Sequence, residues 1–344
     1  MTAVRPLRRV LIANRGEIAV RIARSLREAG IWVIAVYSEA DRDALHVRVA
    51  DQAVCIGGAA ASQSYLVPER LLEAAAATQA CAIHPGYGFL AENAAFSETC
   101  EKAGLVFIGP TGASIRAMGD KSAARELAQE ADVPVVPGHR DVSDADLERV
   151  AKEVGFPLLL KPSAGGGGKG MHRVESAARL VESARAARRE ARASFGDDRL
   201  IVERYVHPAR HIEIQVFADG RGEVLALGER ECSLQRRHQK VVEECPSPVL
   251  LDEQRQAMCA DAIKLARAVD YRGAGTVEFL LGPDGRYYFL EMNTRLQVEH
   301  PVTEMVYGVD LVRAQIAVAE GRGLPEVLRQ AKPRGAAIEV RLYA

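Results

Sequence analysis

Charge of one sign is the first thing this sequence lacks. Its 45 Lys and Arg stand against 46 Asp and Glu, leaving a formal net charge of −1 over 344 residues. That balance argues against a general binder of nucleic acid or of a membrane surface. Paired thiols are lacking as well. Cys55, Cys81, Cys100, Cys232, Cys245 and Cys259 are scattered and form no CxxC, so neither a zinc site nor a disulfide framework is spelled out. Scattered thiols fit a reducing compartment. No stretch reaches the roughly 18 apolar residues of a membrane span, and the apolar run in "MTAVRPLRRVLIAN" is too short for a secretory signal. The expectation is a soluble, cytoplasmic protein with no membrane and no nucleic-acid partner. Neither GxGxxG after the first strand nor GxxxxGK[ST] occurs, so the dinucleotide fingerprint and the P-loop lose their main support. Internal repeats and low-complexity linkers are absent too.

What is present is an ordinary globular balance, 48% hydrophobic and 26% charged. At roughly 100–200 residues per domain, the chain holds two or three. "RRVLIAN" (8–14) reads as a strand and "GEIAVRIARSLREAG" (16–30) as a helix, with Ile18, Ile22 and Leu26 on one face and Gly30 as its stop. "IWVIAVYSE" (31–39) reads as a second strand, which makes a β-α-β unit and a parallel sheet. The alternation continues through "LVFIGP", so residues 1–115 read as one doubly wound α/β domain. Residues 111–131 read as one helical connector. The texture then changes to antiparallel α+β, with hairpin turns at "ADGRG" and "PDG". In "HIEIQVF" (211–217), Ile212, Ile214 and Val216 alternate with His211, Glu213, Gln215 and Phe217, which predicts one buried face. The basic run "ARAARREARAS" (184–194) reads as a solvated helix face.

Four constellations carry chemistry. In "KPSAGGGGKGM" (161–171), four glycines open a loop to close approach by an anion, with Lys161 and Lys169 as flanking cations. It is either a surface turn or a polyphosphate cradle. Glu278 lies six residues before Asp284 and Glu291 seven after it, so the "PDG" hairpin sets them nearly opposite. Opposed like charges destabilise a ladder, and a divalent cation reverses that sign. With the Asn293 amide they make a hard-oxygen set suited to Mg²⁺; otherwise they are two glutamates on a solvated face. In "ECSLQRRHQKVVEE" (231–244), Arg236, Arg237, His238 and Lys240 crowd together without interleaved aromatics, so base stacking is unsupported. The loop is either solvated or faces a small anion. Finally, Arg295, Gln297 and Glu299 alternate along "EMNTRLQVEHPVTE" (291–304), which reads as an extended segment there, so they point the same way. A guanidinium there could hold an oxyanion while Glu299 takes its proton.

Together with "IANRGEIAVRI", "ADRDALHV", "HPGYGFLAEN", "GDK" and "RGAGTVEFL", these motifs resemble the biotin carboxylase component of biotin-dependent carboxylases, an ATP-grasp ligase. The match runs in order from about residue 8 to the end, and "GGGGKGM" and "YSEADRDALHVR" look most like the α subunits of acyl-CoA carboxylases. The resemblance implies a reaction: ATP, bicarbonate and carrier-bound biotin give ADP, phosphate and carboxybiotin. It implies an N-terminal α/β domain (1–115), an ATP-grasp domain (116–332, with a lid over roughly 133–206) and the truncated start (333–344) of a C-terminal domain.

The resemblance also implies roles. Lys121 and Lys161 would bind ATP phosphates and the adenine side. Glu203 and the backbone from Arg204 to Val206 would hold adenine, with His211 near the ribose. Gly167, Gly168 and Lys169 would close over the phosphates. Glu278, Glu291 and Asn293 would hold Mg²⁺ or Mn²⁺. Lys240, Arg295, Gln297 and Val298 would hold bicarbonate, with Gln235 and His238 nearby. Glu299 would be the general base, and Arg341 would stabilise the biotin enolate. The implied partners are a biotin carboxyl carrier, a carboxyltransferase subunit and, at full length, a second copy in a homodimer. Two alternatives stand beside this: a ligase of the carbamoyl phosphate synthetase type, which needs no Arg341, and a nucleotide-binding fragment without turnover.

Overall fold

The computed structural model describes residues 4–163, 170–237 and 239–342. Its N-terminal layer is a parallel sheet of β1 (Arg9–Ile12), β2 (Trp32–Tyr37), β3 (Gln52–Cys55), β4 (Ala82–His84) and β5 (Val106–Phe107) in the order β3-β2-β1-β4-β5. The order reverses at β1, as in doubly wound sheets that open a crevice at their strand ends. Ile18, Ile22 and Leu26 of the helix Gly16–Glu28 are buried as the periodicity predicts. β3 lies beyond the sequence signal because it has four residues and little apolar alternation.

The connector is two helices, Gly112–Gly119 and Lys121–Glu130. The physical cause of the break is Asp120. Its Oδ1 accepts from the N–H groups of Ser122 and Ala123 at 2.8 and 2.9 Å, which caps the second helix. Lys121 therefore sits in a first helical turn facing the body of the protein.

A small antiparallel sheet follows: β6 (Gly138–His139), β7 (Leu158–Pro162), β8 (His172–Val174) and β9 (Leu200–Arg204), in the order β6-β9-β7-β8. Leu158, Leu160 and Val202 form a core of their own with the helices Leu147–Val154 and Leu180–Phe195. The second helix carries the basic run. Ala184, Ala187 and Ala191 are buried and Arg185, Arg189 and Arg192 are exposed, so the run is a solvated face as expected.

The largest sheet is antiparallel: β10 (Arg210–Asp219), β11 (Val224–Arg236), β12 (Gln239–Cys245), β13 (Arg272–Leu281), β14 (Tyr287–Asn293) and β15 (Ala337–Val340), in the order β14-β13-β10-β11-β12-β15. Ile212, Ile214 and Val216 pack on Met258, Ala262 and Leu265 of the helix Asp252–Ala268. Here the structure differs from the alternation argument. Glu213 and Gln215, on the opposite face, are fully buried as well. A polar face can be buried only when its groups are paired, and that face is the floor of the site. A bulge in the β10–β11 ladder carries Gly228 at φ +64°, where a Cβ would stand 2.2 Å from the Tyr307 hydroxyl. Among the described residues, no helix is long and apolar enough to cross a membrane.

Candidate active site

The ladder register builds the floor. Arg230 on β11 pairs Glu213 on β10, Glu213 pairs Glu278 on β13, and Glu278 pairs Glu291 on β14. Two residues along, Gln215, Thr276 and Asn293 form a second row. With side chains alternating at a period of two, both rows lie on one face. The near-opposition of Glu278 and Glu291 is thus present in the backbone, but their carboxylates have different partners. Glu291 lies 3.5 Å from Lys121 Nζ. Glu278 Oε1 accepts from Lys240 Nζ (2.8 Å), Asn293 Nδ2 (2.8 Å) and Gln297 Nε2 (3.0 Å), and its Oε2 lies 2.8 Å from His211 Nε2.

Lys240 is the centre of this arrangement. The basic stretch splits at the β11–β12 turn: Arg236 and Arg237 face solvent, while Lys240 turns inward. Its ammonium pairs with Glu213, with Glu278, and with Glu299 Oε1 at 2.7 Å. Burial alone would depress the Lys240 ammonium, but the three carboxylates hold it well above its ordinary value. Burial would likewise raise Glu213 and Glu278, but Lys240, joined by Arg230 at Glu213 and by His211 at Glu278, more than offsets this, so both stay below the usual carboxylate range. His211 is held up by Glu278 against its own burial.

The segment after β14 leaves the sheet and becomes irregular through Val298, yet Arg295, Gln297 and Glu299 all converge on the cleft. Glu299 stands just before the helix His300–Tyr307 and accepts from Arg341 Nη2 at 3.0 Å. Arg341 also donates to Glu243 at 2.8 Å. Arg295 donates to Glu92 Oε2 (2.8 Å) and to Asn293 Oδ1 (3.0 Å).

At the other end of the cleft, Glu203 is held by Arg125 at 3.1 Å and by Lys161. Arg204, Val206 and Gln235 line the cleft too, and Gln235 Nε2 lies 3.0 Å from His211 Nδ1. One cleft of about 700 Å³ is lined by Lys121, Lys161, Glu203, His211, Lys240, Glu278, Glu291, Asn293, Arg295, Gln297, Val298, Glu299 and Arg341. Gly167, Gly168, Lys169 and His238 lie outside the described residues.

Sequence reasoning passed over Glu213, Arg230, Glu92 and Arg125. The signal for Glu213 was present: the polar half of "HIEIQV" holds only groups that need partners. Arg230 gives no such sign in "GEREC", because its role depends on strands far apart in the chain.

Two family models match the chain. That of the biotin carboxylase N-terminal domain covers residues 6–115, and that of the carbamoyl-phosphate synthase L chain ATP-binding domain covers residues 120–327. The biotin carboxylase of a Nostoc species is 52% identical over 338 residues, which is 98% of this chain and 76% of that protein. The chain belongs to the biotin carboxylase family. The mitochondrial methylcrotonoyl-CoA carboxylase subunit alpha of Dictyostelium discoideum is 50% identical over 99% of this chain and 49% of its own length, so the chain spans about half of that relative. Among solved structures, the biotin carboxylase domain dimer of the Hydrogenobacter thermophilus 2-oxoglutarate carboxylase, in complex with MgADP, ADP and bicarbonate, superposes with a TM-score of 0.91 at 45% identity. That superposition covers 98% of this chain and 75% of the other. The N-terminal parallel sheet and antiparallel ATP-grasp layers of the family are those described above, and the fold expected from sequence stands.

Proposed function

We propose that the chain carries out the first half-reaction of a biotin-dependent acyl-CoA carboxylase: ATP-dependent carboxylation of carrier-bound biotin by bicarbonate, through carboxyphosphate. The observation that carries this reading is the meeting of Glu299 with both Lys240 and Arg341, on the floor of a cleft whose other end is lined by Lys121, Lys161 and Glu203. A carboxylate base flanked by two cations suits an anionic nucleophile, and the lysines suit a polyphosphate.

In this reading, Lys240, Arg295, Gln297 and the Val298 backbone hold bicarbonate while Glu299 takes its proton. Bicarbonate oxygen then attacks the γ-phosphorus and ADP leaves. Charge develops on the phosphoryl oxygens, where fixed cations are worth most in a water-poor site. Glu203, Arg204, Val206 and His211 hold the nucleoside. Gly167, Gly168 and Lys169 are assigned the closure over the phosphates, which excludes the water that would hydrolyse carboxyphosphate, and Gln235 and His238 are assigned to the phosphate and bicarbonate side. The register sets Glu278, Glu291 and Asn293 on one sheet face, and their oxygens are of the type that suits Mg²⁺ or Mn²⁺; to hold the metal, Glu278 and Asn293 would give up hydrogen bonds to Lys240 and Arg295. When bound, the metal neutralises phosphate charge. The carboxyl group of carboxyphosphate then passes to the ureido nitrogen: its bond to the phosphate oxygen breaks, the released phosphate takes the ureido proton, and Arg341 faces the resulting biotin enolate.

The complex bound by the Hydrogenobacter relative, MgADP with bicarbonate, supports the same ligands here. A biotin carboxyl carrier, a carboxyltransferase subunit and a second copy of the full-length chain are the proposed partners. The test is ADP release by the chain with Mg²⁺ATP and bicarbonate, with and without free biotin. Bicarbonate-dependent release that rises with biotin supports the proposal. Release that ignores biotin points to a ligase of the carbamoyl phosphate synthetase type. Nucleotide binding without turnover refutes catalysis by this chain alone.

A further inference from the structure

We infer that Arg230 is a positioning residue that sets, from beneath the cleft floor, the orientation of two anion-holding groups: the Lys240 ammonium and the Gln297 amide. The inference rests on the function proposed above. Arg230 is fully buried, and all five of its N–H groups are engaged. Nε donates to Glu213 Oε1 at 2.5 Å; Nη1 donates to Gln215 Oε1 at 2.6 Å and Thr303 Oγ1 at 3.0 Å; Nη2 donates to Thr276 Oγ1 at 3.0 Å and Gln297 Oε1 at 2.8 Å.

A guanidinium donates and never accepts. Gln297 must therefore turn its oxygen to Arg230, which turns its NH₂ toward Glu278 and the cleft, where Nε2 donates to Glu278 Oε1 at 3.0 Å. The flipped amide would set NH₂ against guanidinium and oxygen against carboxylate, two repulsive contacts in place of two hydrogen bonds. The same guanidinium holds one oxygen of Glu213, and the other receives Lys240. The ammonium thus has a fixed seat among three carboxylates. Lysine at position 230 would keep the charge but not the planar fork that spans these partners.

The test compares R230K, Q297M and the double variant in the full chain, reading the bicarbonate KM, nucleotide Kd and Tm. R230K is expected to raise the bicarbonate KM about tenfold or more, since a ~1 Å misplacement can cost a hundredfold, and to leave nucleotide Kd within about twofold. Because Arg230 acts through Gln297, the double variant should be no worse than the worse single one. A purely structural Arg230 would lower Tm and the active fraction with the bicarbonate KM unchanged, and its effect would multiply with that of Q297M; either result overturns the inference. A crystal structure of R230K adds a readout independent of turnover. Displaced Gln297 and Lys240 side chains support the inference, and unmoved ones refute it. Lack of bicarbonate dependence in the unsubstituted chain would instead count against the proposed function.

Discussion

Replacing Lys240 with Met should destabilise the protein by an amount that shrinks as the pH falls. Glu213, Glu278 and Glu299 are at most 4% exposed. Lys240 pairs with all three; Arg230 also pairs with Glu213, His211 with Glu278, and Arg341, shared with Glu243, with Glu299. Without Lys240, one buried carboxylate is left uncompensated, which costs about 3–5 kcal/mol. The alternative is to keep a proton on it at pH 7. Against an unfolded pKa of about 4.3, that costs 2.7 pH units at 1.36 kcal/mol each, or about 3.7 kcal/mol. The two routes agree. In the wild type Glu213 and Glu278 do not titrate between pH 7 and 5, because their folded-state values are lowered; the stability they contribute is lost only as the pH falls through those lowered values. In the variant the folded carboxyl is raised, so the folded state binds the extra proton and gains stability as the pH falls. The deficit should drop from about 3.7 kcal/mol at pH 7 to about 1 kcal/mol at pH 5, by the same 1.36 kcal/mol per unit. Urea unfolding followed by circular dichroism at the two pH values measures it. A deficit equal at both, or larger at pH 5, would mean that lost packing of the lysine stem rather than charge sets the cost, and the argument would fail.

Glu299→Gln should lower bicarbonate-dependent ADP release by about 10²–10⁴-fold, the usual worth of a general base, with nucleotide binding retained; an active variant sinks the base assignment. Glu291→Gln should raise the Mg²⁺ concentration needed for half-maximal activity about tenfold or more, since even outer-shell losses cost 10–100-fold in metal affinity; an unchanged Mg²⁺ dependence removes it as a ligand. His84 is fully buried, accepts from Gly86 N–H at 3.1 Å, and is pushed down to about 3 by burial. A depressed folded pKa means that the unfolded chain takes up the proton first, so this residue drains stability as the pH falls below about 6.5. His84→Asn should lessen the slope of unfolding free energy against pH, between pH 6 and 5, by about 1.4 kcal/mol per unit; an unaltered slope refutes it.

The β-α-β start and both hairpins were legible because they are local: period and turn chemistry sit within a few residues of each other. The Glu278–Glu291 pairing was legible for the same reason, since one "PDG" turn fixes the register. The split of the connector at Asp120 was less so, because an aspartate between two helical runs reads equally as a helix interior residue. Lys240 looked like one cation among four. Only the β11–β12 turn separates it from Arg236 and Arg237, and the carboxylates of β10 and β13 and that of Glu299 draw it inward. Arg230 could not be singled out, because its partners come from β10, β13, the segment after β14 and the following helix.

The ion cluster also explains how so polar a sheet face stays folded. Its cations come from β11, β12 and the residue just after β15, and its carboxylates from β10, β13 and the segment after β14. Each pair therefore ties together elements that hydrophobic contacts alone would leave to slide. The edge strand shows how tight the balance is. Glu339 on β15 stands opposite Glu243 on β12, a like-charge pairing that should weaken the ladder. Burial, with Glu243 beside it, pushes Glu339 up to about 7, so near neutral pH it keeps much of its proton. Arg341, two residues along, spans Glu243 and Glu299. The edge strand is thus held by the same guanidinium that flanks the proposed base. Removing Arg341 would then loosen β15 and unbalance Glu299 together, so stability and chemistry at this end of the cleft cannot be varied separately.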